Sequence, residues 1–170
     1  MNAPESQTPV PPALLALIVA AGVFVWLSSR SLPEVVASHF DAAGRVNGYM
    51  RRGPYIAILM LITLVVPLFL VIVTNRALSA PNARISLPNR DYWLAPERRA
   101  ETVRYIAGQT TTLAAIIVLF LCYVQWLVVR ANAVTPPALA AGAMSAGLAV
   151  FLACTAFWSV RLVRRFRRRA

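Results

Sequence analysis

Lysine is missing from this chain, and histidine occurs once, as His39. Without lysine there is no phosphate-binding loop of the G-x-x-x-x-G-K-[ST] type and no Schiff-base chemistry. A single histidine rules out an H-E-x-x-H zinc site, and no G-x-S-x-G turn is present to carry a nucleophilic serine. Acidic residues are scarce, 6 in 170. The long apolar stretches contain no Asp, Glu, Lys, Arg or His at all. Proton relays, ion pathways and voltage sensors place ionisable groups inside membrane spans, so an ion-coupled transporter or pump is not expected. Cys122 and Cys154 both lie in apolar stretches, where cysteine behaves as a small hydrophobe. The expectation is a protein that is not an enzyme, with no catalytic residue, no metal site and no cofactor.

What the chain has in abundance is apolar sequence. It is 59% hydrophobic with a mean hydropathy of +0.64, against roughly 45–50% apolar residues in a soluble domain. Four stretches qualify as spans, at about residues 13–29, 54–74, 107–129 and 138–160. Each is near the ~20 residues a helix needs to cross ~30 Å of hydrocarbon. Period-two alternation is absent, so helices are the reading. The expected fold is an all-α integral membrane protein: a four-transmembrane-helix bundle with a short structured polar loop between helices 1 and 2 and an interfacial helix before helix 3. Residues 1–12 read as a polar tail, 13–160 as one membrane domain and 161–170 as a basic tail. The start of the chain carries Glu5 and no basic residue, and Ser28-Ser29-Arg30 is a poor cleavage site, so the first span is expected to be retained.

The net charge is +11, and all 17 basic residues are arginine. The arginines flank the apolar stretches, which makes them topology signals and argues against a nucleic-acid partner. Six of them, Arg161 to Arg169, crowd the carboxyl end, and six more, Arg76 to Arg104, fall between spans two and three. The positive-inside rule places both termini and that connection in the cytoplasm of a multi-pass membrane protein.

The most specific stretch is Leu32 to Arg52. Leu32-Pro33 favours extended backbone. Glu34 to Phe40 has the length of about two helical turns, with Val35, Val36 and Phe40 on its apolar side. Asp41 and Gly44 suggest one turn, Asn47-Gly48 another, and Tyr49 falls where an aromatic meets lipid headgroups. Two readings of His39, Asp41 and Asn47 stand. One is a small polar site for a cation or a peptide; the other is a set of groups that satisfy one another and the turn backbone.

The pattern LP…HFDxxGxxNGY, carried by Leu32, Pro33, His39, Phe40, Asp41, Gly44, Asn47, Gly48 and Tyr49, resembles the signature of a bacterial membrane domain of unknown function, the DUF1648 type. That domain forms the amino-terminal part of SdpI-like bacteriocin-immunity proteins, and the resembling segment here is about residues 13–74. The family often has a lysine after the NGY element, where this chain has Arg51 and Arg52. The resemblance implies a bacterial inner-membrane protein. It points to ligand or partner binding through His39, Asp41, Gly44, Asn47, Gly48 and Tyr49.

In the middle connection Pro96 followed by Glu97 is favourable helix-start sequence, and a short interfacial helix is expected to lead into span three. Tyr92, Trp93, Arg98 and Arg99 are its candidate lipid contacts, and Phe166 in the carboxyl tail is expected to dip into the interface. Span four is rich in small residues. Gly142, Ala146 and Gly147 are candidates for close helix packing, within the bundle or in a homo-oligomer. The expected partners are the lipid bilayer and a membrane-active peptide or another membrane protein. The alternatives are an accessory subunit packing through helices 3 and 4, and a lipid- or small-solute-handling protein.

Overall fold

The computed structural model describes residues 10–80 and 85–167. The polar tail up to residue 9 (with Glu5), Arg84, Arg168 and Arg169 lie outside the described residues.

The chain is mostly helical. Helix α1 (Pro12–Ser28) begins with proline at its first turn, where the missing N–H costs nothing. A 3-10 turn (Ser29–Ser31) then leads into an antiparallel pair of strands, β1 (Val35–Phe40) and β2 (Val46–Arg51). Helix α2 (Arg52–Ser79) follows directly and continues through Pro67. A one-turn helix, α3 (Arg90–Trp93), precedes α4 (Pro96–Asn132), and α5 (Ala143–Arg167) closes the fold.

Four helices, α1, α2, α4 and α5, are long and apolar enough to cross a membrane. The protein is a multi-pass membrane protein. Helices α1, α2 and α4 pack on one another in a three-way contact, with Leu14, Ile18, Ala21, Val71, Ala114 and Val118 between them. Helix α5 lies against α4, and among the described residues only Phe166 of α5 is buried. The outward faces carry large apolar residues such as Val19, Leu61, Phe69, Val150 and Phe157, as lipid-facing helices do.

The structure departs from the sequence reading in three places. The segment expected to make two helical turns, Glu34 to Phe40, is a strand. Two isolated turns are too short to hold together by themselves. The β-branched Val35 and Val36 suit a pleated pairing with Val46–Arg51. Asn47-Gly48 is accordingly inside β2 and forms no turn; the chain reverses at Asp41–Arg45, where Gly44 has φ 81°. The helix before span three is also not separate. Helix α4 runs unbroken from Pro96, and its 37 residues extend about 55 Å at ~1.5 Å each, well beyond ~30 Å of hydrocarbon. Finally, α5 starts at Ala143, so the first residues of the expected fourth span lie in the connection before it.

Candidate functional site

The hairpin formed by β1 and β2 caps one end of the bundle. Its inner side is apolar: Leu32 and Val36 are buried with Val128 of α4, and Phe40 and Tyr55 pack against them. Three polar contacts fix it. Asn132, at the end of α4, accepts from Ala37 N–H through Oδ1 at 2.9 Å and donates through Nδ2 to Ala37 C=O at 3.0 Å. Arg52 at the start of α2 donates from Nη1 to Leu32 C=O at 3.0 Å. The turn itself docks on the α4–α5 connection, where Leu139 N–H donates to Gly44 C=O at 2.9 Å.

Asp41 organises that turn. Its Oδ1 accepts from the backbone N–H of Ala43 at 2.9 Å and of Arg45 at 2.8 Å, and its Oδ2 accepts from Arg45 Nε at 2.8 Å. The Arg45 backbone N–H, and after it the Arg45 guanidinium, hold the Asp41 carboxyl below its ordinary value. Gly44 is required here on two counts. Its φ of 81° suits glycine, and a Cβ would collide with the Leu139 carbonyl oxygen.

His39 pairs with Gly48 across the strands, with a register irregularity on either side. Its Nδ1 lies 2.9 Å from Ser38 Oγ. A side chain at Gly48 would meet the His39 ring, with Nδ1 at 3.2 Å from the added Cβ. The imidazole therefore lies along Gly48. Among the described residues no hydrogen bond joins His39, Asp41 and Asn47 to one another, and no three His, Cys, Asp or Glu side chains gather into a metal-holding group. The structure brings Asp41, Gly44 and Arg45 together and leaves His39, Asn47 and Tyr49 exposed along the hairpin.

The two edges of the hairpin differ. Arg52 N–H donates to Glu34 C=O at 2.9 Å. The alternation of an antiparallel ladder then makes Val36/Met50 a hydrogen-bonded pair and Ala37/Tyr49 an open one. In an open pair the N–H and C=O of both residues point away from the partner strand. Ala37 turns them to Asn132. Tyr49 turns them to the outer side of β2, where the described residues place no partner strand beside it. The α4–α5 connection bridges the chain only at Arg45, through Ala138, and Tyr49 is 62% exposed.

Beneath the hairpin lies a polar node that sequence reasoning did not assemble. Gln125 of α4 is fully buried. It accepts from Tyr55 Oη at 2.7 Å and donates through Nε2 to Ser28 Oγ at 2.9 Å and Ser29 Oγ at 3.0 Å. These bonds tie α1, α2 and α4 together where the hairpin leaves the bundle. A glutamine within an apolar stretch was the available signal, since a buried amide in a membrane helix needs partners.

Residues 13–66 match the family model described as a domain of unknown function, DUF1648. The chain carries a DUF1648 domain. No curated protein and no solved structure matches it. The DUF1648 segment covers α1, the hairpin and α2 as far as the residue before Pro67. Gln125, Val128 and Asn132, which brace the hairpin, lie outside it on α4.

The other candidate residues fall in two places. At the opposite end of the bundle Trp93 donates from Nε1 to Phe166 C=O at 3.1 Å, and its ring meets the Phe166 ring edge-on at 5.4 Å. Phe166, expected to dip into the interface, is instead buried within the protein. Arg98 lies over the Tyr92 ring at 4.1 Å, and Arg99 is half-buried near the start of α4. On α5, Gly147 is crossed by the Tyr123 ring so closely that a Cβ there would overlap it. Ala146 lines a groove of about 410 Å³ between α4 and α5. Gly142 is not on this helix face: it precedes α5 with φ 75° and has open space where a side chain would be.

Proposed function

We propose that this DUF1648 protein is a non-enzymatic bacterial inner-membrane protein of the SdpI-like type. In this reading it binds or senses a membrane-active peptide or a partner membrane protein at the hairpin, by addition of an extended strand to β2. The observation that carries the reading is the asymmetry of the two edges. One is closed by Asn132 and the other, at Tyr49, is open beside an exposed aromatic ring. Strand addition takes its affinity from such main-chain groups and its selectivity from flanking side chains, here His39, Asn47 and Tyr49. Asp41 and Gly44 belong to the frame that holds the edge in place. The arginines of the far end, including Arg76, Arg98, Arg104 and Arg164, support cytoplasmic termini and an outward hairpin.

The test is photo-cross-linking from Asn47 in native membranes, comparing wild type with Tyr49→Pro and Tyr49→Val. Proline removes the outward N–H without breaking the β1 pairing, as edge strands allow. Capture of a peptide or membrane protein by wild type and Tyr49→Val, lost in Tyr49→Pro, supports strand addition; equal capture by all three contradicts it.

A second reading, an accessory subunit packing through α4 and α5, rests on the apolar groove beside Ala146. It ranks lower because Gly147, the smallest residue of that face, is already occupied by Tyr123.

A further inference from the structure

At the end of the bundle away from the hairpin, a cavity of about 600 Å³ opens between the start of α1, the end of α2 and residues 103–111 of α4. Its wall includes Pro12, Arg76, Ser79, Arg104, Gly108 and Thr111. Among the described residues its lining includes two arginines and no acidic residue. Neither Arg76 nor Arg104 takes part in an ion pair among the described residues. Glu101, one turn before Arg104, is engaged instead by Arg165 at 2.7 Å. Depth matters as well. The uncharged stretch of α4 begins just after Arg104, so the cavity straddles the level where the hydrocarbon ends and headgroups begin.

We propose that this cavity binds a phosphoryl group, with Arg76 and Arg104 as its two cationic contacts; the Thr111 hydroxyl on the same wall donates to Ala107 C=O at 3.1 Å and is not counted as a contact. Two arginines suit a phosphate because each presents a planar fork of N–H donors to its oxygens. Basic pockets between membrane helices on the arginine-rich side take anionic lipid headgroups, and the apolar residues Leu78, Val103 and Ala107 on the same wall suit the acyl chains of such a lipid. A free phosphate offers the same oxygens without the chains. The inference is independent of the hairpin reading, since the two lie at opposite ends of the bundle.

The experiment uses the full chain in neutral detergent. Native mass spectrometry compares retention of phosphatidylglycerol and phosphatidylcholine, and thermal unfolding is followed with inorganic phosphate as the third probe. Wild type is expected to retain phosphatidylglycerol about tenfold better than phosphatidylcholine, in line with two arginine contacts near a charged headgroup. Arg76→Gln/Arg104→Gln is expected to lose most of that preference. Gly108→Leu leaves both arginines in place and fills a wall position with open space around it, so it is expected to lower the preference too. Arg161→Gln/Arg164→Gln, exposed on α5 and outside the cavity, is expected to keep it. Protection of wild type by inorganic phosphate alone, absent in the arginine double variant, identifies a soluble anion as the ligand; lipid preference without phosphate protection identifies the headgroup. A preference that survives both cavity variants, one that falls equally in the Arg161/Arg164 control, or no response to either probe overturns the proposal.

Discussion

Asn132 and Ala37, 95 residues apart in sequence, meet through both ends of one amide: Ala37 N–H donates to Oδ1 at 2.9 Å and Nδ2 donates to Ala37 C=O at 3.0 Å. The side chain takes the place of a third strand. It closes the inner edge of the hairpin against α4, and the same Nδ2 also donates to Val128 C=O at 2.9 Å, which fixes its orientation.

Replacing Asn132 with alanine leaves the N–H and C=O of the buried Ala37 without partners. The expected cost is on the order of 2–4 kcal/mol, read as lower thermal stability in detergent and as new protease sensitivity within the hairpin. Asn132→Asp keeps an acceptor and loses the donor, so it is expected to fall between the two.

The Tyr55–Gln125 bond gives a second expectation. Tyr55→Phe and Gln125→Leu, singly and together, are expected to yield a coupling energy of about 0.5–1.5 kcal/mol, the range for hydrogen bonds between membrane helices. Gln125→Leu is expected to be the more damaging single change, because it also strands Ser29, which is fully buried. Equilibrium unfolding of the four proteins measures both.

The three structural glycines separate by geometry. Gly44→Ala combines positive φ with a collision at the Leu139 carbonyl, and is expected to cost roughly 1–3 kcal/mol. Gly147→Leu must displace the Tyr123 ring, loosening α5 from α4. Gly142→Ala meets only backbone strain, about 1 kcal/mol. Thermal unfolding should therefore rank Gly142→Ala as the mildest.

Asp41 sets a pH response. Its carboxyl is held low in the fold by Arg45, so its contribution is present above the ordinary carboxylate pKa of about 4 and is lost as pH falls through the lowered folded value. Amide exchange at Ala43 and Arg45, after correction for intrinsic rates, should accelerate as pH falls from about 5 toward 2.5. Asp41→Asn should remove that pH dependence.

The membrane architecture was legible because uncharged stretches of helical length leave few alternatives, and Pro96 marked the start of α4. The hairpin was not legible as a pair of strands. Its pairing depends on contacts from α4 nearly a hundred residues later, and a short apolar run such as Val35-Val36 has no decisive period of its own. Asp41 was identified as a turn residue correctly, but Asn47-Gly48 misled, since Gly48 serves the His39 ring and not a turn. Asn132 gave no local sign at all, because a polar residue at a helix end is ordinary until its partner is placed.

The central claim is that one edge of the hairpin is closed at Ala37 and the other open at Tyr49, and amide hydrogen exchange resolved at single residues tests it directly. In the full chain in detergent, Ala37 N–H is expected to exchange on the order of 100-fold more slowly than Tyr49 N–H after correction for intrinsic rates, with Ala37 losing its protection in Asn132→Ala. Equal protection at Ala37 and Tyr49 would mean that the edge of β2 is covered, and would contradict the account.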